Sequence, residues 1–304
     1  MSKIFDALVK QEGDLAQFAK DFSAANSIKP QTNGTAAKLA ASPSPIIVPS
    51  RPKVQEAPEI RVAPLRLSVT TPLFPFDQHN ARAAEQYRIV RTKILQDLRQ
   101  PRVILVSSAS PMDGKTITSI NLAGVMALRK ELRVLLVEAD LHRSNIAKIL
   151  GLPEGPGLAE VITGKADIAE ALVRIEQFPN LYVLPGGGPY KGATELLDSH
   201  HWRAVIENLR SQFTHVIVDS PPIGVLADFD LLQAIADGVV FVVRPDQTNR
   251  TLCLKALSSV SEDKLLGVVL NAAKDWVLHR NGYSYYYNYY YNNNGSEKRD
   301  DRPV

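Results

Sequence analysis

The stretch that decides the fold is "RVILVSSASPMDGKTITSINLAGVMAL", residues 102–128. Val103 to Val106 form an aliphatic, partly β-branched run of strand length. The residues after Thr116 carry the spacing of an amphipathic helix. Between them stand Gly114, Lys115 and Thr116, the last three positions of the pattern G-x-x-x-x-G-K-[ST]. Ala109 takes the place of the first glycine, so the strict pattern is not met, but a strand before and a helix after supply its context. In that context the N–H groups of Met112 to Thr116 wrap a phosphate at a helix N-terminus. Ser110, Pro111, Asp113 and Ile117 complete the loop and its exit into the helix. Lys115 is placed to neutralise the β- and γ-phosphates of ATP, and the Thr116 hydroxyl to sit on Mg²⁺. The competing reading is an ordinary strand–loop–helix connection with a chance Gly-Lys-Thr.

Working outward, the same alternation repeats. "LRVLLVEAD", "NLYVLPGG", "THVIVDSPP", "GVVFVVRP" and "LLGVVLNAA" are further short apolar runs separated by helical stretches. Near-continuous apolar strands of this kind belong to a sheet covered on both faces. The predicted class is α/β, a P-loop NTPase with a doubly wound, mostly parallel sheet and helices on both faces. Ligands of such sheets sit at the C-terminal ends of the strands. Two runs end there in acids: Glu138 and Asp140 in one, Asp219 in the other. The topology lets these carboxylates converge on one Mg²⁺ beside the loop. Asp228 and Asp237 read instead as caps or turn residues.

The chain has 304 residues, a net charge of +3 and no long basic run, which gives no argument for nucleic acid. Its one cysteine, Cys253, excludes an intrachain disulfide and a Cys-based metal site in one subunit. The start "MSKIFDALVKQEGD" lacks the apolar core of a secretory signal, and no apolar run approaches membrane-spanning length. The expectation is a cytoplasmic protein whose membrane contact is peripheral. Residues 1–23 read as an amphipathic helix through Ile4, Leu8, Leu15, Phe18 and Phe22, suited to its own domain or to docking a partner. Residues 24–80 are rich in Ala, Ser and Pro and read as a linker. Residues 81–278 carry the α/β pattern, opening with the helical "HNARAAEQYRIVRTKILQDLRQ", and 279–304 are a polar tail.

That tail contains "NGYSYYYNYYYNNNG", residues 281–295, with seven of the chain's ten tyrosines: Tyr283, Tyr285, Tyr286, Tyr287, Tyr289, Tyr290 and Tyr291. Aromatic rings normally go where they can be buried, and this stretch offers no aliphatic partner. Composition alone leaves two readings, a sticky low-complexity segment or a set of substrate phenols.

From about residue 81 to 291 these features together resemble the bacterial tyrosine kinases of capsule and exopolysaccharide export. "SSASPMDGKT" is similar to that family's Walker A, "VLLVEADLHR" to its second motif, and "VIVDSPP" to its Walker B. Glu85, Arg88 and Arg91 reproduce its E-x-x-R-x-x-R subunit contact, and the tail its autophosphorylation cluster. The sequence departs at Met112, where a second glycine is usual and a left-handed turn would strain Met. It departs again at Glu138 for the first Asp of D-x-D and at His142 for an Arg. It also lacks Pro-Asn-Pro before "ELL". The resemblance implies ATP and Mg²⁺ as cofactors, with Thr116, Asp140 and Asp219 as metal ligands. It gives Lys115, Asp140 and Asp219 catalytic roles, Asp140 orienting and deprotonating the phenol, with His142 as the other acceptor. Asn271 would contact adenine. Implied partners are a ring of copies, often eight, a separate transmembrane polysaccharide co-polymerase adaptor, and a protein tyrosine phosphatase. A positioning ATPase of the ParA/MinD kind shares the sheet but usually has a lysine near Ser110 and no use for the tail. A catalytically weak nucleotide-binding scaffold is the third reading.

Overall fold

The computed structural model of the protein describes residues 60–67, 72–73, 81–188, 190–224, 227–245 and 247–273. The helix expected over residues 1–23 and the tyrosine-rich tail lie outside them. The strands are β1 (Arg61–Ala63), β2 (Val103–Ser108), β3 (Val134–Glu138), β4 (Val173–Ile175), β5 (Leu181–Leu184), β6 (His215–Asp219), β7 (Gly238–Val243) and β8 (Leu265–Leu270). The helices are α1 (Ala81–Leu95), α2 (Lys115–Ala127), α3 (Ile146–Leu150), α4 (Leu158–Ile162), α5 (Ile168–Ala171), α6 (Ala193–Leu197), α7 (His200–Gln212), α8 (Asp228–Ile235) and α9 (Arg250–Ser258).

All six apolar runs become neighbouring parallel strands. They lie in the order β5-β3-β6-β2-β7-β8 within a sheet ordered β1-β4-β5-β3-β6-β2-β7-β8. Every residue of β2 and β3 is buried, as a sheet covered on both faces requires. Ile104, Val106, Leu136, Ile217 and Val240 share one core cluster with Tyr87 and Ile94 of α1 and Ile120, Val125 and Met126 of α2. Their strand neighbours Leu105, Leu135, Val137, Val216 and Val218 are equally buried and, by the two-residue pleat, face the other side. Each fully buried Leu or Val of this kind contributes about 1.5–3 kcal/mol. The helices follow local rules where their sequences allow. In α7, Trp202, Val205, Ile206 and Leu209 are buried at i, i+3, i+4, i+7, and Ser199 caps the helix by accepting the Trp202 N–H at 3.2 Å.

Two strands escaped the sequence reading. β4 runs antiparallel to β5, and β1 pairs parallel with β4 inside the stretch expected to be a linker. At three residues each they are too short to show a period. β1 is fixed from outside itself: the Arg61 guanidinium donates to the carbonyls of Glu154, Pro156 and Ala171 at 3.1–3.3 Å. Farther along the same stretch Leu73 is buried, and Pro72 O accepts the Asn121 side-chain amide at 3.0 Å.

Candidate active site

The phosphate loop leaves β2 at Ser108 and enters α2 at Lys115. Gly114 caps the helix at φ 95° and offers no side-chain cap. A Cβ there would run into the Asn271 amide, so glycine is required twice, for conformation and for space. Among the described residues the N–H groups of Met112 to Thr116 meet no acceptor. Open amides at the N-terminus of a 13-residue helix are what a phosphate needs. Earlier in the loop the Ser110 N–H donates to Asp113 Oδ2 at 2.8 Å. Met112 does adopt the left-handed conformation, φ 67°, with 82% of its surface exposed. That costs a non-glycine residue about 1–2 kcal/mol.

The acids come from register. β3, β6 and β2 are adjacent, and Glu138 pairs with Asp219. Asp219 is 1% exposed and accepts the Thr116 hydroxyl at 2.8 Å and the Ser119 hydroxyl at 2.9 Å. Burial pushes its carboxyl up to about 7; Lys115 and the two hydroxyls pull it back, and Glu138 adds a smaller push upward. Lys115 Nζ lies 3.3 Å from Asp140 Oδ2, and Asp140 Oδ1 accepts the Arg143 N–H at 3.2 Å. Lys115, Thr116, Asp140 and Asp219 are therefore brought together at one strand edge. A buried carboxylate beside a hydroxyl and an uncapped helix N-terminus fits a Mg²⁺–triphosphate: hard oxygens for the cation, amides and an ammonium for the anion.

Glu138 does not join them. Its carboxylate accepts Ser144 Oγ at 2.6 Å, the N–H groups of Ile146 and Gly186 at 2.8 and 2.9 Å, and the Asn145 N–H. The expected convergence of all three acids is corrected on this point: Glu138 is spent on the start of α3 and the turn after β5. Asn271, expected at adenine, is placed on the loop itself, its Nδ2 donating to Asp113 O at 2.9 Å. His142 Nε2 lies 3.0 Å from the buried Asp228, which also accepts Thr194 Oγ1 at 2.5 Å. Asp237, read as a cap or turn residue, accepts the N–H groups of Arg102 and Val103 at the start of β2 and two hydrogen bonds from Arg210 Nη1. On α1, Arg88 pairs with Glu85 at 2.8 Å, but Arg91 turns inward to Val125 O at 2.9 Å. Arg91 thus ties α1 to α2, and its main hydrogen bond is internal. Pro111 is exposed and Ile117 packs on the core.

Two residues of the site were missed. Ser119 sits three residues past Thr116 on the same helix face, a spacing that could have revealed it. Thr248, whose Oγ1 lies 2.8 Å from Asp113 Oδ1, comes from 135 residues away and left no local signal.

A Gly-Lys-Thr loop on a central parallel strand, with acids on the two neighbouring strands, defines a P-loop nucleotide-binding protein. The AAA domain family profile matches residues 102–268, more than half of the chain. Over 207 residues the chain is 32% identical to tyrosine-protein kinase YwqD of Bacillus subtilis, covering 67% of this chain and 86% of that one. Over 177 residues it is 33% identical to the succinoglycan biosynthesis transport protein ExoP of Rhizobium meliloti, covering 57% of this chain and 22% of that one. The solved structure of the chimerical protein CapA2B2 matches with a TM-score of 0.62 at 24% identity, covering 71% of this chain and 94% of that one. That likeness bears on the fold alone. The chain belongs to the bacterial tyrosine-protein kinase family and is a protein-tyrosine kinase.

Proposed function

We propose that the chain is an ATP- and Mg²⁺-dependent autokinase that phosphorylates Tyr283, Tyr285, Tyr286, Tyr287, Tyr289, Tyr290 and Tyr291 on a neighbouring copy. The observation that carries this reading is the meeting of Lys115, Thr116, Asp140 and Asp219 at the uncapped start of α2. When bound, Mg²⁺-ATP supplies the phosphoryl group. The amides of Met112 to Thr116 and the Lys115 ammonium hold its phosphates, while Thr116, Asp219 and Asp140 provide the oxygens for the cation. A free phenol has a pKa near 10, so it needs a base at neutral pH. Asp140 is the carboxylate for that task, orienting the hydroxyl and taking its proton.

The tail's Asn and Ser spacers let successive hydroxyls reach an adjacent site. Glu85, Arg88 and Arg91 on α1 would form the contact of a ring of copies, eight in the usual case. Each phosphate adds about −1.5 to −2 charges, so a phosphorylated ring repels itself and disperses. Such a cycle of assembly and dispersal would regulate polysaccharide polymerisation and export. It would act at the inner face of the membrane with a separate transmembrane co-polymerase adaptor and be reset by a tyrosine phosphatase. Among the described residues no helix is long and apolar enough to cross a membrane. The succinoglycan role in ExoP's name supports the polysaccharide connection.

The test mixes two full-length proteins with ATP, Mg²⁺ and the adaptor's cytoplasmic segment. One carries Lys115→Ala, and the other carries all seven tail tyrosines changed to Phe. Mass mapping is expected to find phosphotyrosine on the Lys115→Ala tail. An unmodified tail in that mixture, with wild type phosphorylated alone, would overturn transfer between copies. No phosphotyrosine on wild type would overturn the autokinase reading.

A further inference from the structure

Met112 raises a question that its role in the phosphate loop does not answer. A non-glycine residue held at φ 67° returns to ordinary backbone unless its surroundings over-determine it. Its own side chain is almost wholly exposed and can hold nothing in place. The constraint must come from its neighbours, and the next residue supplies it. Asp113 is 2% exposed. One of its oxygens closes the turn around Met112 by accepting the Ser110 N–H at 2.8 Å. The other is 2.8 Å from Thr248 Oγ1. Thr248 closes the turn that follows β7: its Oγ1 accepts the Arg244 N–H at 3.0 Å, its N–H donates to Arg244 O at 3.0 Å, and Arg244 O at 3.0 Å shares the hydroxyl proton with the shorter contact to Asp113. From the end of β8, Asn271 adds a hold on Asp113 O, while its own N–H is fixed to Val243 O at 2.8 Å.

We propose that the Asp113–Thr248 contact is a latch that holds the phosphate loop in its left-handed turn at Met112, making Thr248 a positioning residue for the nucleotide. The proposal rests on the nucleotide-binding reading of the loop. Thr248 acts through Asp113. When the latch is open, the turn relaxes, the amides of Met112 to Thr116 no longer converge, and only a fraction of molecules binds phosphate. Apparent affinity then falls in proportion to that fraction. The latch is needed because position 112 is not glycine. A glycine there adopts φ 67° without strain and keeps the cradle without outside help.

The measurement is calorimetric binding of Mg²⁺-ADP to the full chain, with the KM for ATP and kcat of tail phosphorylation alongside. Thr248→Val is expected to weaken binding roughly tenfold to a hundredfold, the scale of one hydrogen bond to a charged group, and to raise KM with kcat little changed. Thr248→Ser, which keeps the hydroxyl, is expected to bind within about twofold of wild type. In a Met112→Gly background, Thr248→Val should change binding by less than about twofold. A general structural defect at Thr248 would not be repaired by glycine 136 positions away, so that last arm separates latch from scaffold. Wild-type binding by Thr248→Val, or an equal loss with and without Met112→Gly, overturns the latch. Lys115→Ala is measured beside them: if it binds Mg²⁺-ADP like wild type, or if wild type fails to bind, it is the nucleotide reading that falls.

Discussion

Glu138 and Asp219 stand opposite one another on adjacent strands, and each is 1% exposed. The end of β3 and the end of β6 nevertheless treat their carboxylates in opposite ways. Glu138 is given four donors, three of them backbone amides that would otherwise be orphaned at the start of α3 and after β5. Asp219 is given two hydroxyl donors and, among the described residues, no amide, and burial lifts it to about 7 in spite of them. A buried acid with a full set of amide donors belongs to the fold. A buried acid left short of them is free to take a ligand, and on the proposed function that ligand would be a divalent cation. Partner count, more than burial or strand position, separates the two roles.

The largest effect expected from this contrast is on catalysis. Asp219→Asn keeps the shape and one of the two accepted hydroxyl bonds but removes the charge that a cation requires. Tail phosphorylation should fall by about 10²–10³-fold, the scale of losing a key electrostatic group in a closed site. The ligand-free protein should melt no lower than wild type at pH 8. Glu138→Ala should do the reverse. It strands buried amides at about 1–3 kcal/mol each, for a total of about 4 kcal/mol once the backbone relaxes, read as a lowered midpoint in urea. If Asp219→Asn melted far below wild type and Glu138→Ala did not, the assignment of roles would be inverted.

The next effect is in pH. Asp219 in the unfolded chain titrates near 3.8 and in the folded chain near 7. Between those values the folded protein holds the extra proton, so stability falls as pH rises through the window. From pH 5 to pH 8, without Mg²⁺, this one group should cost about 2–3 kcal/mol. The loss should be missing from Asp219→Asn and reduced by millimolar Mg²⁺ with ADP. Thermal unfolding of the two proteins at both pH values checks it. Equal slopes in the two would mean that Asp219 is ionised well below neutral pH in the folded chain.

What could be read from the sequence follows the reach of the interactions. The six central strands, the Gly-Lys-Thr loop and the acids at Asp140 and Asp219 depend on runs and spacings within about ten residues, and they were legible. β1 was not, because its place is set by Arg61 reaching carbonyls 93 to 110 residues away. Asn271 was placed at the nucleotide edge, but its contact with Asp113 spans 158 residues and nothing near either residue announces it. Arg91 matched a subunit-contact motif, yet the carbonyl it bonds lies 34 residues on, across the α1–α2 contact. Glu138 looked like a site acid because position along a strand is legible and the count of donors waiting there is not.

The smallest effect concerns the loop, where the same division between a satisfied fold and a costly site recurs in the backbone. Gly114 and Met112 are both left-handed, two residues apart. Gly114 is locked by the Asn271 amide, so Gly114→Ala must push backbone and side chain apart and should abolish nucleotide binding. Met112→Gly runs the other way. Relief of the left-handed conformation returns about 1–2 kcal/mol, and the extra freedom of glycine in the unfolded chain takes back about 0.5–1 kcal/mol. With the Met112 side chain exposed, little burial is lost. The net is a gain of about 0.5–1 kcal/mol, a rise of roughly 1–4 °C in the melting temperature of a domain this size. A fall in melting temperature would show that the Met112 side chain makes a stabilising contact outweighing its strain. The contrast between a strained loop and a satisfied core would then have to be redrawn.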